Sequence, residues 1–370
     1  MKKLKVLEII GDSTLAGAPR HLLSLLENFD TKKFTLLAIC PPGPLAGEIR
    51  SLKKNVDLEI IQMNSKLDFS AIKHIRKYVR RLKPDIIHIH GTRAGSVGRL
   101  AVAGLNFPVI YTEHLWTKHY KMTSRIAHRI QLIGLWFLDM FTTTNIAVSQ
   151  AVKDFMIENQ ISREEKIVVI YNGIEPAKHH AKIFTSKDYV LGTVGTLNPQ
   201  KGIQFIIQAM PQILKEFPQT KLQIVGEGTY RKHLTKMVKK MHLIKSVHFS
   251  GFVKDVDEEI DKFDIYIQAS LSESFGLAII QAMNVSIPIV ATNTGGIPEV
   301  VTSNKSGILV EAAKPDALAN AILKLLRDPE NAKRMGKMAA EDVKIKFNLR
   351  DMVKETESLY ETIAQKRSES

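Results

Sequence analysis

Short apolar, β-branched runs recur along the first half of the chain, as KVLEII, FTLLAIC, DIIHIH, VIYTEH, TNIAVS and KIVVIY. Amphipathic stretches such as FSAIKHIRKYVRRLK separate them. The opening LKVLEII reads as a first strand. Near-continuous apolar strands alternating with helices predict a parallel sheet covered on both faces, the doubly wound α/β arrangement. After the polar interval YNGIEPAKHHAKIFTSKD the pattern restarts with YVLGTVG, KLQIVG, SVHFSG, DIYIQAS, IPIVAT and GILV, which puts a domain boundary near residues 173–188. From Pro315 onward the chain reads as helical, and LRDMVKETESLYETIAQ carries apolar spacing at Met352, Val353, Leu359, Tyr360 and Ile363. No low-complexity tract or short repeat occurs. Ligands of doubly wound sheets bind at the carboxyl ends of strands, where strand order reverses. Two facing sheets would put the active site in the cleft between them.

A chain of 370 residues, 44% hydrophobic, is too long for one core and suits two domains. Its single cysteine, Cys40, forms no intramolecular disulfide, so a reducing, cytoplasmic setting is expected. The basic start imitates a signal peptide, but Lys5 and Glu8 interrupt a short apolar stretch. The nearest approach to a spanning segment, IQLIGLWFLDMF from Ile130, is short and contains Asp139, so no transmembrane helix is expected. A net charge of +14 favours phosphates, whether on nucleic acid, anionic lipid or a small ligand, and does not choose among them.

In DIYIQASLSESFGLAIIQAM a strand runs through a loop into a helix, with Phe275, Gly276 and Leu277 in its first turn and Ser274 as the expected N-cap. Amide N–H groups there suit a phosphate. Gly276 lets a ligand approach the backbone, and Glu273 is placed to accept hydrogen bonds from sugar hydroxyls. Gln281, seven residues past Ser274, returns to the same face. On residue types alone, a capped helix with a solvated Glu fits equally well.

The E-x7-[E/Q] spacing around SFGL, followed by PIVATNTGGIPE, resembles the signature of the large retaining glycosyltransferase family 4, of GT-B fold. The resemblance covers nearly the whole chain. It implies two Rossmann-like α/β domains with parallel sheets facing across a cleft: an acceptor-side domain over 1–175, a donor domain over 176–349, and a final helix, about 350–370, returning to the first. It further implies a nucleoside diphosphate sugar as donor and retention of anomeric configuration. The family includes transferases of bacterial capsule, exopolysaccharide and envelope glycans, so the expected acceptor is a glycan or a polyprenyl-diphosphate-linked glycan. No cofactor and no metal are expected.

By the same resemblance, AGAPRH supplies the glycine turn after the first strand, reduced to Ala16-Gly17, with Pro19 where an acid is common. GTVGTLNPQKG matches the phosphate-binding segment, with Lys201 present and Thr196 at a position usually held by Arg, so Lys201 and backbone amides carry more of the diphosphate charge. Gly226 and Glu227 in LQIVGEGTYR fall near the nucleoside, and FSGFVKDV offers backbone contacts to the base around Phe252. Ser274, Phe275, Gly276 and Leu277 line the donor phosphates. Glu273 orients the sugar, His114 in VIYTEHLW faces it, and Gln281 replaces the second acid commonly assigned to ribose hydroxyls.

Three further stretches admit two readings each. In IIHIHGTRAGSVGRLA, His90, Thr92 and Arg93 precede a helix expected from near Gly95, and Arg93 suits an acceptor phosphate or plain solvent. Trp116, Trp136 and Phe137 mixed with Lys118, Lys121, Arg125 and Arg129 fit an anionic membrane surface, or a half-buried helix with a basic face. The acids Asp255 to Asp257 tempt a metal-binding reading, but helix capping suits them better. No aromatic-basic motif supports a nucleic-acid partner. A noncatalytic nucleotide-sugar-binding protein and a sugar-nucleotide epimerase of the same fold are the alternatives to a transferase.

Overall fold

The computed structural model describes residues 3–15, 17–117, 124–186, 188–253 and 255–369. Contacts divide the chain into two compact units: one runs to Trp116, resumes to Asn172 and is completed from Leu349, and the other contains Gly173–Asn348.

The first unit holds seven strands, β1 (Leu4–Ile10), β2 (Phe34–Cys40), β3 (Val56–Ile60), β4 (Ile86–His90), β5 (Val109–Glu113), β6 (Thr144–Ala147) and β7 (Ile167–Val169). All pair in parallel, in the order β3-β2-β1-β4-β5-β6-β7. The chain winds outward one way from β1 and the other way from β4, so strand order reverses between these two. The even positions of β1, Val6 and Ile10, face a core shared with Leu22, Phe29, Met352 and Tyr360, while Leu7 and Ile9 face Ile75, Val97 and Tyr111. Strand β3 has no counterpart in the sequence-based expectation: its alternating acids in VDLEI suit an edge strand that is only half covered. The final helix, Leu349–Glu369, belongs to this unit and closes the first of these cores with Tyr360 at 0% exposure.

The second unit holds β8 (Val190–Val194), β9 (Lys221–Val225), β10 (Val247–Gly251), β11 (Ile265–Gln268), β12 (Ile289–Thr292) and β13 (Gly307–Val310), again parallel, in the order β10-β9-β8-β11-β12-β13. Here the order reverses between β8 and β11. Helices Ile203–Glu216 and Pro315–Arg327 supply Ile206, Ile213, Leu318 and Leu325 to the core beneath it. Burying apolar faces on both sides of each sheet is what its continuous β-branched strands require.

Candidate functional site

In the second unit, the loops after β8 and β11 meet at the reversal point. The Leu271 N–H donates to the Gln200 carbonyl at 2.7 Å, and Lys201 Nζ reaches Glu273 Oε2 at 2.6 Å. Ser270 Oγ and Gln268 Nε2 donate to the same carboxylate oxygen, each at 3.1 Å. Gln268 is itself fixed by the Tyr266 hydroxyl, which donates to Oε1 at 2.7 Å. Burial and the Glu273 charge push Tyr266 far above the ordinary phenol range, so it stays a neutral donor. Three donors therefore converge on Oε2, and among the described residues none donates to Oε1.

The glycine pair of the motif holds this acid in place. The Gly296 N–H donates to the Glu273 carbonyl at 3.0 Å, and at Gly295, whose φ is +55°, a β-carbon would stand 1.9 Å from that carbonyl oxygen. Only glycine tolerates both the left-handed backbone and the close approach.

The structure corrects one expectation here. Ser274 is not the N-cap; Gly276, at φ +102°, takes that position, and the helix runs Leu277–Asn284 with no side-chain cap. The chain enters this helix by a positive-φ turn that serine disfavours. Phe275 is buried at 1% exposure, edge-on to Phe347 at 5.4 Å, so its ring builds the core and only its backbone is left for a ligand. Leu277 is half-buried. Gln281 Nε2 donates to Asp257 Oδ1 at 2.7 Å. Asp255 does cap a helix, Val256–Ile260, by accepting the Asp257 and Glu258 N–H groups. Thr196 is exposed in the turn after β8, and the Gly226 N–H donates to Gly251 O at 2.8 Å. Glu227 pairs with Arg231, and Phe252 is 67% exposed.

In the first unit a histidine cluster occupies the reversal point between β1 and β4. His90 ends β4, His114 follows β5, and His21 lies on the helix Ala18–Asn28 that follows β1. Ring centroids are 5.6 Å apart for His21 and His90, 5.0 Å for His21 and His114, and 5.9 Å for His90 and His114. Beneath them, His90 Nε2 lies 2.7 Å from Glu8 Oε2, and the Tyr360 hydroxyl donates to Glu8 Oε1 at 2.8 Å. His88 Nδ1 lies 2.5 Å from the Tyr360 oxygen, with its Nε2 2.6 Å from Thr112 Oγ1. Burial works to raise the Glu8 carboxyl, but the charge of His88 and hydrogen bonds from His88 and His90 outweigh it and hold it well below the usual range. Burial, joined by neighbouring imidazoles, lowers His21 to about 3 and His90 to about 4, and takes His114 well below its ordinary value.

His114 owes its place to Glu113, whose Oε1 accepts the Leu115 and Trp116 N–H groups at 2.8 and 3.4 Å while Oε2 accepts the Tyr111 hydroxyl at 2.9 Å. His90 is thus brought to His114 and Glu8 rather than to a surface with Thr92 and Arg93. The helix expected near Gly95 begins at Gly91, directly off the end of β4, so Thr92 and Arg93 sit in its first turn. Arg93 Nη1 donates to the Gly11 and Met63 carbonyls at 3.0 and 3.2 Å. Gly17 caps the helix Ala18–Asn28, with Pro19 at its start, whereas Ala16 lies outside the described residues.

Trp116 is buried and stacked on Phe155, 6.4 Å between centroids, so it leaves the proposed surface group. Lys118 and Lys121 lie outside the described residues. Helix Arg125–Asp139 exposes Ile126 (73%), Ile130 (63%), Ile133 (64%) and Trp136 (53%), with Arg129 also exposed.

Sequence reasoning missed Glu8, His21, His88 and Tyr360 as parts of one cluster. Signals were present: a carboxylate inside a central apolar strand, and two histidines at a spacing of two in IIHIH, hence on one sheet face.

The model for glycosyl transferases group 1 matches residues 158–342, half of the chain, and that for Glycosyltransferase Family 4 matches residues 15–178. An uncharacterized glycosyltransferase of Methanocaldococcus jannaschii is 30% identical over 76% of each chain. The UDP-Gal:alpha-D-GlcNAc-diphosphoundecaprenol alpha-1,3-galactosyltransferase of Escherichia coli is 26% identical over 97% of each. Among solved structures, HepE of Anabaena in complex with UDP-glucose superposes with a TM-score of 0.81 at 21% identity, over 99% of this chain and 100% of that one, a likeness that shows the GT-B fold. With its two Rossmann-like sheets and residues 15–178 matching Glycosyltransferase Family 4, the chain belongs to the group 1 glycosyl transferases and is a glycosyltransferase of GT-B type.

Proposed function

We propose that this glycosyltransferase moves a sugar from a nucleoside diphosphate sugar to a glycan or lipid-linked acceptor in envelope polysaccharide synthesis, with retention and without a metal in the reaction. The observation that carries the reading is the Lys201–Glu273 pair at the reversal point of the second sheet. A cation there meets the negative charge that grows on a departing diphosphate, the charge a transferase site must stabilise. The amides at the start of helix Leu277–Asn284 add to that field. Glu273, held through Oε2, offers Oε1 to hydroxyls of the transferred sugar, and His114 hydrogen-bonds that sugar. Relatives that carry UDP or an undecaprenol-linked acceptor in their names support the donor and acceptor classes. No described helix is long and apolar enough to cross a membrane. The exposed apolar face of helix Arg125–Asp139 supports docking on the cytoplasmic surface of an anionic membrane.

The test is nucleoside diphosphate release from UDP-, GDP- and ADP-sugars in EDTA, with and without short lipid-diphosphate glycans. Release from one donor, lost in Glu273→Gln, is expected. Nucleotide binding without release under any acceptor would turn the reading to a noncatalytic binding protein.

A further inference from the structure

Three imidazoles that converge from three elements carry a chemistry the transfer reaction does not require. The ligand-capable nitrogens of His21, His90 and His114 all lie within 4.8 Å of one another. The tautomer of His90 follows from its partner: Glu8 in its ionised form only accepts, so His90 Nε2 donates and Nδ1 carries the lone pair. Among the described residues, neither that buried Nδ1 nor the buried Nδ1 of His21 has a hydrogen-bond partner. Leaving such groups unsatisfied is unfavourable, and a shared electrophile would relieve it.

We propose that His21, His90 and His114 form a three-imidazole site for a borderline divalent cation of the zinc class. Nitrogen donors select Zn²⁺, Co²⁺ or Ni²⁺ over the oxygen-seeking Mg²⁺ and Ca²⁺. Around a tetrahedral zinc with Zn–N bonds of about 2.0–2.1 Å the nitrogens stand roughly 3.4 Å apart, which small side-chain rotations toward a common centre would supply. The surroundings match those of metal-binding histidines, whose second ring nitrogen is usually held by a carboxylate or carbonyl. His90 rests on Glu8, and Glu8 is fixed in turn by Tyr360. His114 is half-buried where the other two are buried.

Binding itself does not depend on the role proposed for His114. Its consequence does: if His114 serves the transferred sugar, a bound cation withdraws it and turnover falls.

The experiment uses untagged full-length protein, stripped with EDTA and desalted. Zn²⁺ is titrated calorimetrically and Co²⁺ by its visible absorption, at pH 7.5 and without nucleotide sugar. One equivalent of Zn²⁺ per chain is expected, undisturbed by millimolar Mg²⁺, with affinity falling at least tenfold in His21→Asn and about 10–100-fold in Glu8→Gln. Exposed His233→Asn is the control and keeps wild-type affinity. Circular dichroism confirms folding of each variant, and His21→Asn alone decides if the Glu8 variant fails to fold. Wild-type affinity in folded His21→Asn, or no Zn²⁺ uptake by wild type, overturns the site and leaves a bound water as the partner of these nitrogens. One-equivalent binding with unchanged turnover in a donor assay keeps the site and overturns the role given to His114.

Discussion

Lys201 Nζ lies 2.6 Å from Glu273 Oε2, tying the loop after β8 to the loop after β11 at the point where the second sheet reverses direction. The two residues are 72 positions apart, and in the sequence each reads as a separate candidate for a different part of the donor. Their contact makes them one unit. Replacing Glu273 by Gln keeps size and shape but leaves Lys201 facing a neutral amide. Loss of kcat by roughly two orders of magnitude or more is expected, from the scale of single electrostatic contacts in active sites. Lys201→Ala removes a charge-assisted contact worth about 1.5–3 kcal/mol, so kcat/KM falls roughly 10–150-fold. Because the side chains touch, the double variant is expected to lose less than the two losses summed. Steady-state donor kinetics on the three variants checks this, and wild-type rates in Glu273→Gln would refute the assignment.

Gly295→Ala tests the backbone that carries Glu273. The added methyl group meets the Glu273 carbonyl, and the residue must hold φ at +55°. Strain of this kind costs on the order of 1–3 kcal/mol, and relief by moving the loop would displace the acid. A lower urea midpoint by far-UV circular dichroism is therefore expected together with a fall in kcat that exceeds any rise in donor KM. Wild-type kcat in this variant would mean that the glycine pair does not position Glu273.

Tyr360→Phe probes the buried support of the first unit. The hydroxyl donates to Glu8 and faces His88 Nδ1, so its removal strips two buried polar groups of a partner. Each loss costs roughly 1–3 kcal/mol. Both tryptophans, Trp116 and Trp136, lie in this unit, so the fluorescence unfolding transition reports on it. A clear fall in its urea midpoint is expected. An unchanged midpoint would show that Glu8 and His88 find other partners.

Much of this architecture was legible in the order of residues. LKVLEII, FTLLAIC and GILV are the strands β1, β2 and β13 to the residue, because strands covered on both faces are continuous apolar runs and stand out. Strand β3 did not stand out, since an edge strand with Asp57 and Glu59 lacks that run. The loop motifs identified the family, yet the partnerships did not follow from them. That Gln281 faces Asp257, or that Tyr360 reaches Glu8 across 352 positions, is a product of tertiary packing which no local pattern encodes. Ser274 misled because a polar residue before a helix usually caps it, whereas here the positive φ of Gly276 determines the entry.

The exposed face of helix Arg125–Asp139 carries a prediction about location. Ile126, Ile130 and Ile133 recur at spacings that place them along one side, each more than 60% exposed. Co-sedimentation with vesicles of phosphatidylglycerol is expected for wild type and is expected to fall several-fold in Ile130→Glu/Ile133→Glu, with donor hydrolysis unaffected. Equal binding of both proteins would remove this helix from any membrane contact.

The Gln281–Asp257 contact sharpens the last prediction. In isolation, Gln281→Glu would restore an acid and strengthen donor binding. With Asp257 Oδ1 only 2.7 Å from the amide nitrogen, the same change replaces a hydrogen bond by two carboxylates in contact. Like charges at that distance raise the proton affinity of one partner and push the side chains apart. Gln281→Glu is therefore expected to raise donor KM about five- to thirtyfold, on the order of 1–2 kcal/mol, with kcat little changed. Asp257→Asn in the same chain removes the repulsion and returns a donor to the new carboxylate, so KM falls back to the wild-type range or below. Both residues are solvent-accessible, so raised ionic strength should shrink the Gln281→Glu effect. A KM for Gln281→Glu below that of wild type, with Asp257 intact, would mean that the two side chains separate when the donor binds and that Gln281 alone faces the ligand.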